Sequence, residues 1–302
     1  MPELPEVETV VRDLQKRITG KKITAAWTDW PKLIKNPLKQ SRRAADAGAV
    51  QDFLAGIRGC TVESVKRRGK NILIYLSGEM TMLVHLKMTG HFLIGKWETS
   101  SHRALALSPK EIVEDSYNHH VHLIMTLDSG EQLGLSDVRK FAKVLFGPRS
   151  IIEGLPELAR LGSDALDPAL TLRQLTAAIR VGRRPIKQVL MDPSVVAGIG
   201  NIYGDEILWR ARVHPRRPAG GLTAAECCKI YQAMRSVLRT AVAMRGTSTS
   251  DFRDTFGKEG GYTGNRLVYR RTGEPCGRCR APIERIVIAG RSAHYCSSCQ
   301  GL

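Results

Sequence analysis

Val121-His-Leu-Ile-Met-Thr-Leu127, followed by Asp128-Ser-Gly130 and Gln132-Leu-Gly-Leu135, is the stretch that decides the fold. Val121, Leu123, Met125 and Leu127 alternate with His122, Ile124 and Thr126, the period of a strand that buries one face. Asp128-Ser129-Gly130 supplies turn chemistry between two such runs, which predicts a hairpin. Downstream, residues 143–146 continue the pattern. Upstream, residues 71–76 and 82–86 are short apolar runs separated by Ser77-Gly78-Glu79, a second hairpin. Residues 6–18 differ: Val7, Val10, Val11, Leu14 and Ile18 fall at helical spacing. Up to about residue 148 the chain therefore reads as an antiparallel β-sandwich preceded by one helix. The stretch from 97 to 117 is polar and irregular, and predicts an exposed insertion.

Beyond residue 148 the texture changes, and the chain as a whole reads as α+β. Residues 148–168 are rich in Pro, Gly and Asp and predict a linker. Thr171-Leu-Arg-Gln174 and Thr223-Ala-Ala-Glu226 are capping-box signatures, each opening a helix. Leu172, Leu175 and Ile179 continue the first. Ile230, Met234, Val237, Leu238, Ala241 and Val242 stripe the second. Between them lie a short helix near residues 187–191, the turn Val195-Val-Ala-Gly-Ile-Gly200, and a helix beginning near Asn201. A tight glycine turn leading into a helix start can grip a phosphate, although such turns more often only join packed helices.

Charge and cysteines narrow the function. Forty-six Lys and Arg against twenty-nine Asp and Glu leave +17, spread over clusters such as Lys66-Arg-Arg68, Arg183-Arg184, Arg216-Arg217 and Arg270-Arg271. Dispersed basic clusters on a folded chain suit a polyanion, with nucleic acid ahead of an acidic membrane surface. No apolar run approaches the ~20 residues of a membrane span. The acidic residues after Met1 are unlike a secretory signal, so a cytoplasmic chain is expected. Cys276-Gly-Arg-Cys279 and Cys296-Ser-Ser-Cys299, sixteen residues apart, have the spacing of a four-cysteine zinc ribbon. Two disulfides are the alternative, disfavoured in a reducing compartment. Cys60, Cys227 and Cys228 read as packed thiols. His119, His120 and His122 read as structural or near DNA, since a strand would send alternate members to opposite faces.

The chain begins Met1-Pro-Glu-Leu-Pro-Glu6. Removal of Met1 would leave Pro2 as a secondary amine, able to attack a sugar carbon and form an iminium. An unperturbed α-amino group has a pKa of about 7.7–8.0, so a useful fraction is neutral near pH 7. Glu3 and Glu6 could move protons beside it. A plain helix start, with Pro5 in the first turn and Glu6 and Glu8 at the positive end of the dipole, is the competing reading.

Motifs along the whole chain then carry a resemblance. The opening Met1-Pro-Glu-Leu-Pro-Glu-Val-Glu-Thr-Val10, Arg67-Arg-Gly-Lys70, His85-Leu-Lys-Met-Thr-Gly90, Ser136-Asp-Val-Arg-Lys-Phe141, Gly198-Ile-Gly-Asn-Ile-Tyr203 and the terminal ribbon resemble formamidopyrimidine-DNA glycosylase, in that family's order, from residue 2 to residue 300. The resemblance implies a catalytic β-sandwich over 1–148, a linker over 149–168, a helix–two-turn–helix domain over 169–262 and a zinc ribbon over 263–302. Damaged duplex DNA would lie between the domains. It further implies a bacterial, nucleoid-associated monomer with one structural zinc, no catalytic metal and no membrane partner.

By that similarity Pro2 is the nucleophile at C1′, Glu3 the general acid and base at the sugar, Glu6 an organiser, and Lys70 a phosphate contact beside the lesion. Asn201 and Arg291 would grip phosphates flanking the everted nucleotide, with Lys187 and Tyr203 in the same DNA-contacting set. Met88, Arg139 and Phe141 would fill the vacated space, although Met88 and Phe141 taken alone read as core. Three positions depart from the family: Ala142 and Arg270 stand where glycine is usual, and Ser250 where a lysine or arginine is common. The implied activity is a glycosylase and abasic-site lyase acting on oxidised purines. The alternatives are an endonuclease VIII-like enzyme for oxidised pyrimidines and a non-catalytic zinc-ribbon DNA-binding protein. The complete wedge set and residues 246–265, a candidate base-covering loop, favour the purine branch.

Overall fold

The computed structural model describes residues 1–37, 47–249 and 251–302, and divides into two compact units. The first comprises Met1–Pro2, Glu6–Ala159 and Arg245–Gly261; the second comprises Glu3–Pro5, Arg160–Met244 and Tyr262–Leu302.

The first unit is the sandwich the alternation predicts. One sheet runs Ile23–Thr28, Val121–Leu127, Gln132–Ser136, His91–Thr99, Ala104–Ser108 in spatial order. The other runs Ile34–Lys35, Lys143–Pro148, Met80–His85, Asn71–Leu76, Val62–Arg68, antiparallel except for its first pair. Met125 and Leu127 from one sheet share a core with Ile72, Ile74, Met82 and Val84 from the other. The helix Leu4–Ile18 adds Val7, Val10, Val11, Leu14 and Ile18 to that core.

The predicted exposed insertion is instead ordered and partly buried. It contains part of the strand His91–Thr99, the edge strand Ala104–Ser108 and the helix Lys110–Glu114. Trp97 and Ile112 close over Leu93, Val121 and Ile124 as a small core on the outer face of the sheet. That is why Ile124, read as an outward position, is buried. The insertion's apolar runs are short, Ala104-Leu-Ala-Leu107 and Ile112-Val113, and lie among polar and charged residues.

In the second unit both capping boxes form, at Thr171/Gln174 and Thr223/Glu226, and open the helices Leu172–Ile179 and Ala224–Ala243. These pack with Ile186–Leu190 and Asn201–Ala211 around Tyr203, Ile207, Ile230 and Met234. The C-terminal hairpin Glu284–Ile288 and Arg291–Tyr295 belongs to the same unit.

The units divide the chain otherwise than the expected boundaries do. Residues 149–168 are not a plain linker: they hold the helices Arg149–Glu153 and Pro156–Ala159 and a two-residue strand. Arg245–Gly261 leaves the helical region and joins the sandwich. Arg245 is one of its ties, bonding Asp13 of the first helix through Nη1 (3.2 Å) and Nη2 (2.5 Å) and Asp254 through Nε (2.7 Å).

Candidate active site

In the first unit, Pro2 is buried one residue before Glu3, and Glu6 is 1% exposed. The Glu6 carboxylate accepts the Thr247 N–H at 2.7 Å, which fastens the segment after Gly246 to the first helix. Gly246 has φ +80°, and a Cβ there would press on Glu6. Lys70 follows Gly69 (φ 60°) in the turn between Val62–Arg68 and Asn71–Leu76. Arg67 ties that turn down, donating to Glu8 (2.7 Å) and to the Gly69 carbonyl (3.0 Å).

Near Lys70, His85 pairs in register with both Asn71 and Lys143. Burial, reinforced by Lys87, Lys70 and Lys143, pushes its imidazole down to about 3. The ring is therefore neutral, and its Nδ1 accepts the Lys87 N–H at 3.0 Å. Lys87 takes φ 55° there, and Met88 follows it.

Met88, Arg139 and Phe141 are all exposed, against the core reading of Met88 and Phe141 on their own. The Arg139 guanidinium stacks on Phe141 at 4.7 Å, and Lys140 (φ 57°) lies over Trp30 at 4.3 Å. Asp137, 1% exposed, organises this loop and escaped the sequence reading. Its carboxylate accepts from the Thr89 hydroxyl, from the Arg139 N–H (3.3 Å) and from the Ala142 N–H (2.6 Å). Thr89 and Asp137 thereby join the loop of Met88 to the loop of Arg139 and Phe141. Ala142 needs no left-handed backbone here, so alanine serves, whereas Arg270 does adopt φ 59°, a conformation natural to glycine. Ser250 lies outside the described residues.

In the second unit, Glu3 is 2% exposed and accepts the N–H groups of Ile202 (2.8 Å) and Tyr203 (3.3 Å) at the start of Asn201–Ala211. A helix N-terminus has unpaired donors and a positive end, and a carboxylate satisfies both. A Cβ at Gly200 would overlap the Glu3 carboxyl group, so that glycine makes the approach possible. Asn201 is half-buried at the first helical position, with its side-chain oxygen unpartnered. Arg291 is exposed at the start of its strand, after the turn Ala289-Gly290.

Lys187 and Tyr203 do not fit a DNA-contacting role. Tyr203 is fully buried in the helical core. Lys187, 1% exposed, donates to Asp205 Oδ1 (2.6 Å) and to the Ser292 carbonyl (2.5 Å). Asp205 Oδ2 accepts both the backbone N–H and the ring nitrogen of His294 at 2.9 Å. Burial pushes the Lys187 ammonium down, and Asp205 opposes it. A lysine in a basic segment reads as a surface charge until its buried carboxylate partner, eighteen residues on, is seen. Lys187 ties the helical region to the ribbon next to Arg291.

The four ribbon sulfurs lie within 4.8 Å of one another, with Cys276–Cys299 at 3.9 Å and Cys279–Cys296 at 3.4 Å. Tetrahedral zinc with thiolates at about 2.3 Å needs sulfurs about 3.8 Å apart, so the residues fit one structural zinc. Burial raises the Cys276 thiol, but N–H donors from Arg278 and Cys279 and the Trp209 indole outweigh it and bring it to about 6. Zinc bound by these four thiolates would hold the ribbon and leave no position open for water.

Three family descriptions match in series: the formamidopyrimidine-DNA glycosylase N-terminal domain over 1–144, its H2TH domain over 161–253, and a zinc finger found in FPG and IleRS over 273–301. The chain is 38% identical over 302 residues to the formamidopyrimidine-DNA glycosylase of Chloroflexus aurantiacus, covering 99% of this chain and 98% of that one. To that of Moorella thermoacetica it is 39% identical over 286 residues, covering 95% and 94%. A Lactococcus lactis FPG mutant in complex with Fapy-dG containing DNA superposes with TM-score 0.82 at 28% identity, over all of both chains. The MutM (Fpg) protein of Thermus thermophilus gives 0.80 at 33% identity, over 99% of each. Sandwich, H2TH region and zinc finger together define a DNA glycosylase of base excision repair. The chain belongs to the formamidopyrimidine-DNA glycosylase family. Among the described residues no helix is long and apolar enough to cross a membrane.

Proposed function

We propose that this chain removes oxidised purines, 8-oxoguanine and formamidopyrimidines, from duplex DNA and cuts the strand by β,δ-elimination through a Schiff base on Pro2. The observation that carries the reading is Glu3: joined to Pro2 by one peptide bond, it is held by two N–H donors at a helix start. An acid fixed in this way can move protons at the sugar without reorganising.

With Met1 removed, the neutral Pro2 nitrogen attacks C1′. The bond from C1′ to the base breaks, and the base departs with the electron pair and takes up a proton. The Pro2 nitrogen then loses its proton to the Glu3 carboxylate. As the C1′–O4′ bond opens, Glu3 gives a proton to O4′, leaving an iminium between Pro2 and C1′. The iminium acidifies the C2′ proton, whose loss expels the 3′ phosphate; a second elimination expels the 5′ phosphate.

Glu6 organises the pocket by holding Thr247, and the loop that follows covers the everted base. Lys70, Asn201 and Arg291 hold phosphates. Met88, Arg139 and Phe141 enter the space the base leaves, a role their exposure and the Arg139–Phe141 stack support. Eversion costs a few kcal/mol, which such contacts offset. The enzyme works as a nucleoid-associated monomer.

The test is single-turnover excision from duplexes carrying 8-oxoguanine opposite cytosine, a formamidopyrimidine, or an oxidised pyrimidine. Both purine lesions should be released fastest. A faster oxidised pyrimidine would move the chain to endonuclease VIII-like chemistry.

A further inference from the structure

Residues 104–119 form a body that the reaction above does not use, and their polar contacts converge on one target. Arg253, 4% exposed, donates from Nε to Asp115 Oδ2 at 2.5 Å and lies over the Tyr117 ring at 4.7 Å. Asn118 is fully buried and donates from Nδ2 to the carbonyls of Gly257 (3.3 Å) and Glu111 (3.2 Å). Its Oδ1 faces His91 Nε2 at 3.1 Å, so both ends of the amide are engaged. Gly257 has φ +78°, and a Cβ there would meet Asn118 Nδ2 at 2.7 Å and Ile112 at 3.1 Å. The Ile94 N–H, on the adjoining strand, donates to the Thr255 carbonyl at 2.9 Å. Lys258 and Glu111 add an exposed pair at 3.1 Å, worth little on its own.

The segment held this way is the second half of the loop whose first half hangs on Glu6. Ser248 connects the halves: its hydroxyl donates to the Phe252 carbonyl (2.6 Å) and accepts the Gly260 N–H (2.9 Å). Thr247, which bonds Glu6, is its neighbour. A shift of residues 252–260 is thus passed through Ser248 to the residue that touches the catalytic helix.

We infer that residues 104–119 are a strap that sets the position of the base-covering loop, with Asp115 and Asn118 as positioning residues for base excision. The inference rests on the reading that the loop after Gly246 covers the everted base. Its consequence is selective. An abasic nucleotide has no base to cover, so the strap matters for glycosylase chemistry and not for cleavage at a preformed abasic site.

The experiment compares Asp115→Asn, Gly257→Ala and the parent enzyme, full-length and zinc-loaded, in two single-turnover assays. One is release of 8-oxoguanine opposite cytosine; the other is cleavage of the same duplex carrying an abasic site. Asp115→Asn should lose about tenfold or more in base release, the worth of one charge-assisted hydrogen bond, and Gly257→Ala, whose Cβ crowds Asn118 Nδ2, should fall in the same direction. Abasic cleavage should stay within about twofold, which also shows that the variants fold. Amide exchange should quicken across residues 252–261 and not across Val121–Leu127. Unchanged base release in both variants overturns the strap, and so does an equal fall in both reactions. If the parent instead prefers an oxidised pyrimidine, the substrate reading fails, and the same ratio measured on that base still decides the strap.

Discussion

Asp205→Asn is the most informative single substitution in the second unit. Asp205 and Lys187 have side chains 0% and 1% exposed, and the ammonium is otherwise held by one carbonyl, that of Ser292. Removing the carboxylate charge strands a buried cation, and breaking such a pair from one side costs about 3–5 kcal/mol. The replacement amide also turns a donor toward either Lys187 or the two His294 donors, so the figure is a lower bound in kind. For a unit of ~130 residues each kcal/mol moves Tm by roughly 3–5 °C, so the transition should fall by about 9–25 °C. Adding Lys187→Met removes the stranded charge. The double variant should recover most of the loss, remaining about 1–3 kcal/mol below the parent because the Ser292 carbonyl and the His294 donors lose partners. Thermal denaturation of the four proteins closes the cycle. DNA affinity of the double variant against salt supplies an independent reading, since a lysine on phosphate contributes about one unit to the slope. An unchanged slope fits a tie beside Arg291. A double variant no more stable than Asp205→Asn, or a slope lower by about one, would refute the buried-pair argument.

Arg291→Ala should weaken binding to lesion DNA and reduce the magnitude of the salt slope by about one, one counterion fewer being released. Glu3→Gln should bind with the parent's slope yet fail to release the base, because its amide can still accept an N–H but cannot deliver a proton; competent turnover with lost affinity would reverse the two roles. For His85, folding depresses the pKa from 6.5 to about 3. The unfolded chain binds the extra proton first, so this contribution to stability is complete above about pH 6.5 and is lost as pH falls toward 3. An imidazole signal for His85 that titrates between pH 5 and 8 would contradict its half-buried place among Lys70, Lys87 and Lys143.

The sandwich and the helical region were legible because their signals are local. Alternation at 121–127, the turn at 128–130, and the boxes at Thr171 and Thr223 each depend on residues within a few positions of one another. The zinc ligands were legible for the same reason. What stayed hidden depends on partners far apart in sequence. Lys187 looked like a surface charge because its partner Asp205 lies eighteen residues away in the next helix, and His294 lies in the ribbon. Asp137 passed as one letter of a motif, although its carboxylate binds two loops together. Residues 97–117 read as an exposed insertion because Trp97, Ala104, Ala106 and Ile112 sit alone or in short apolar runs among polar and charged residues. Only folding onto Leu93 and Ile124 makes a core of them. The alternation also gave Ile124 the wrong environment, since an outward-facing strand position can be covered by a distant element.

The central claim is that the Pro2 nitrogen carries the chemistry. Borohydride added during turnover of 8-oxoguanine duplex should reduce the iminium and leave a stable protein–DNA adduct. Peptide mass mapping should place the adduct on residue 2 of a chain that has lost Met1. Enzyme retaining Met1 or an N-terminal tag should give no adduct, while Pro2→Gly, with a primary amine, should keep some trapping. An adduct that forms equally with the tagged enzyme, or that maps to a lysine such as Lys70, would contradict the account.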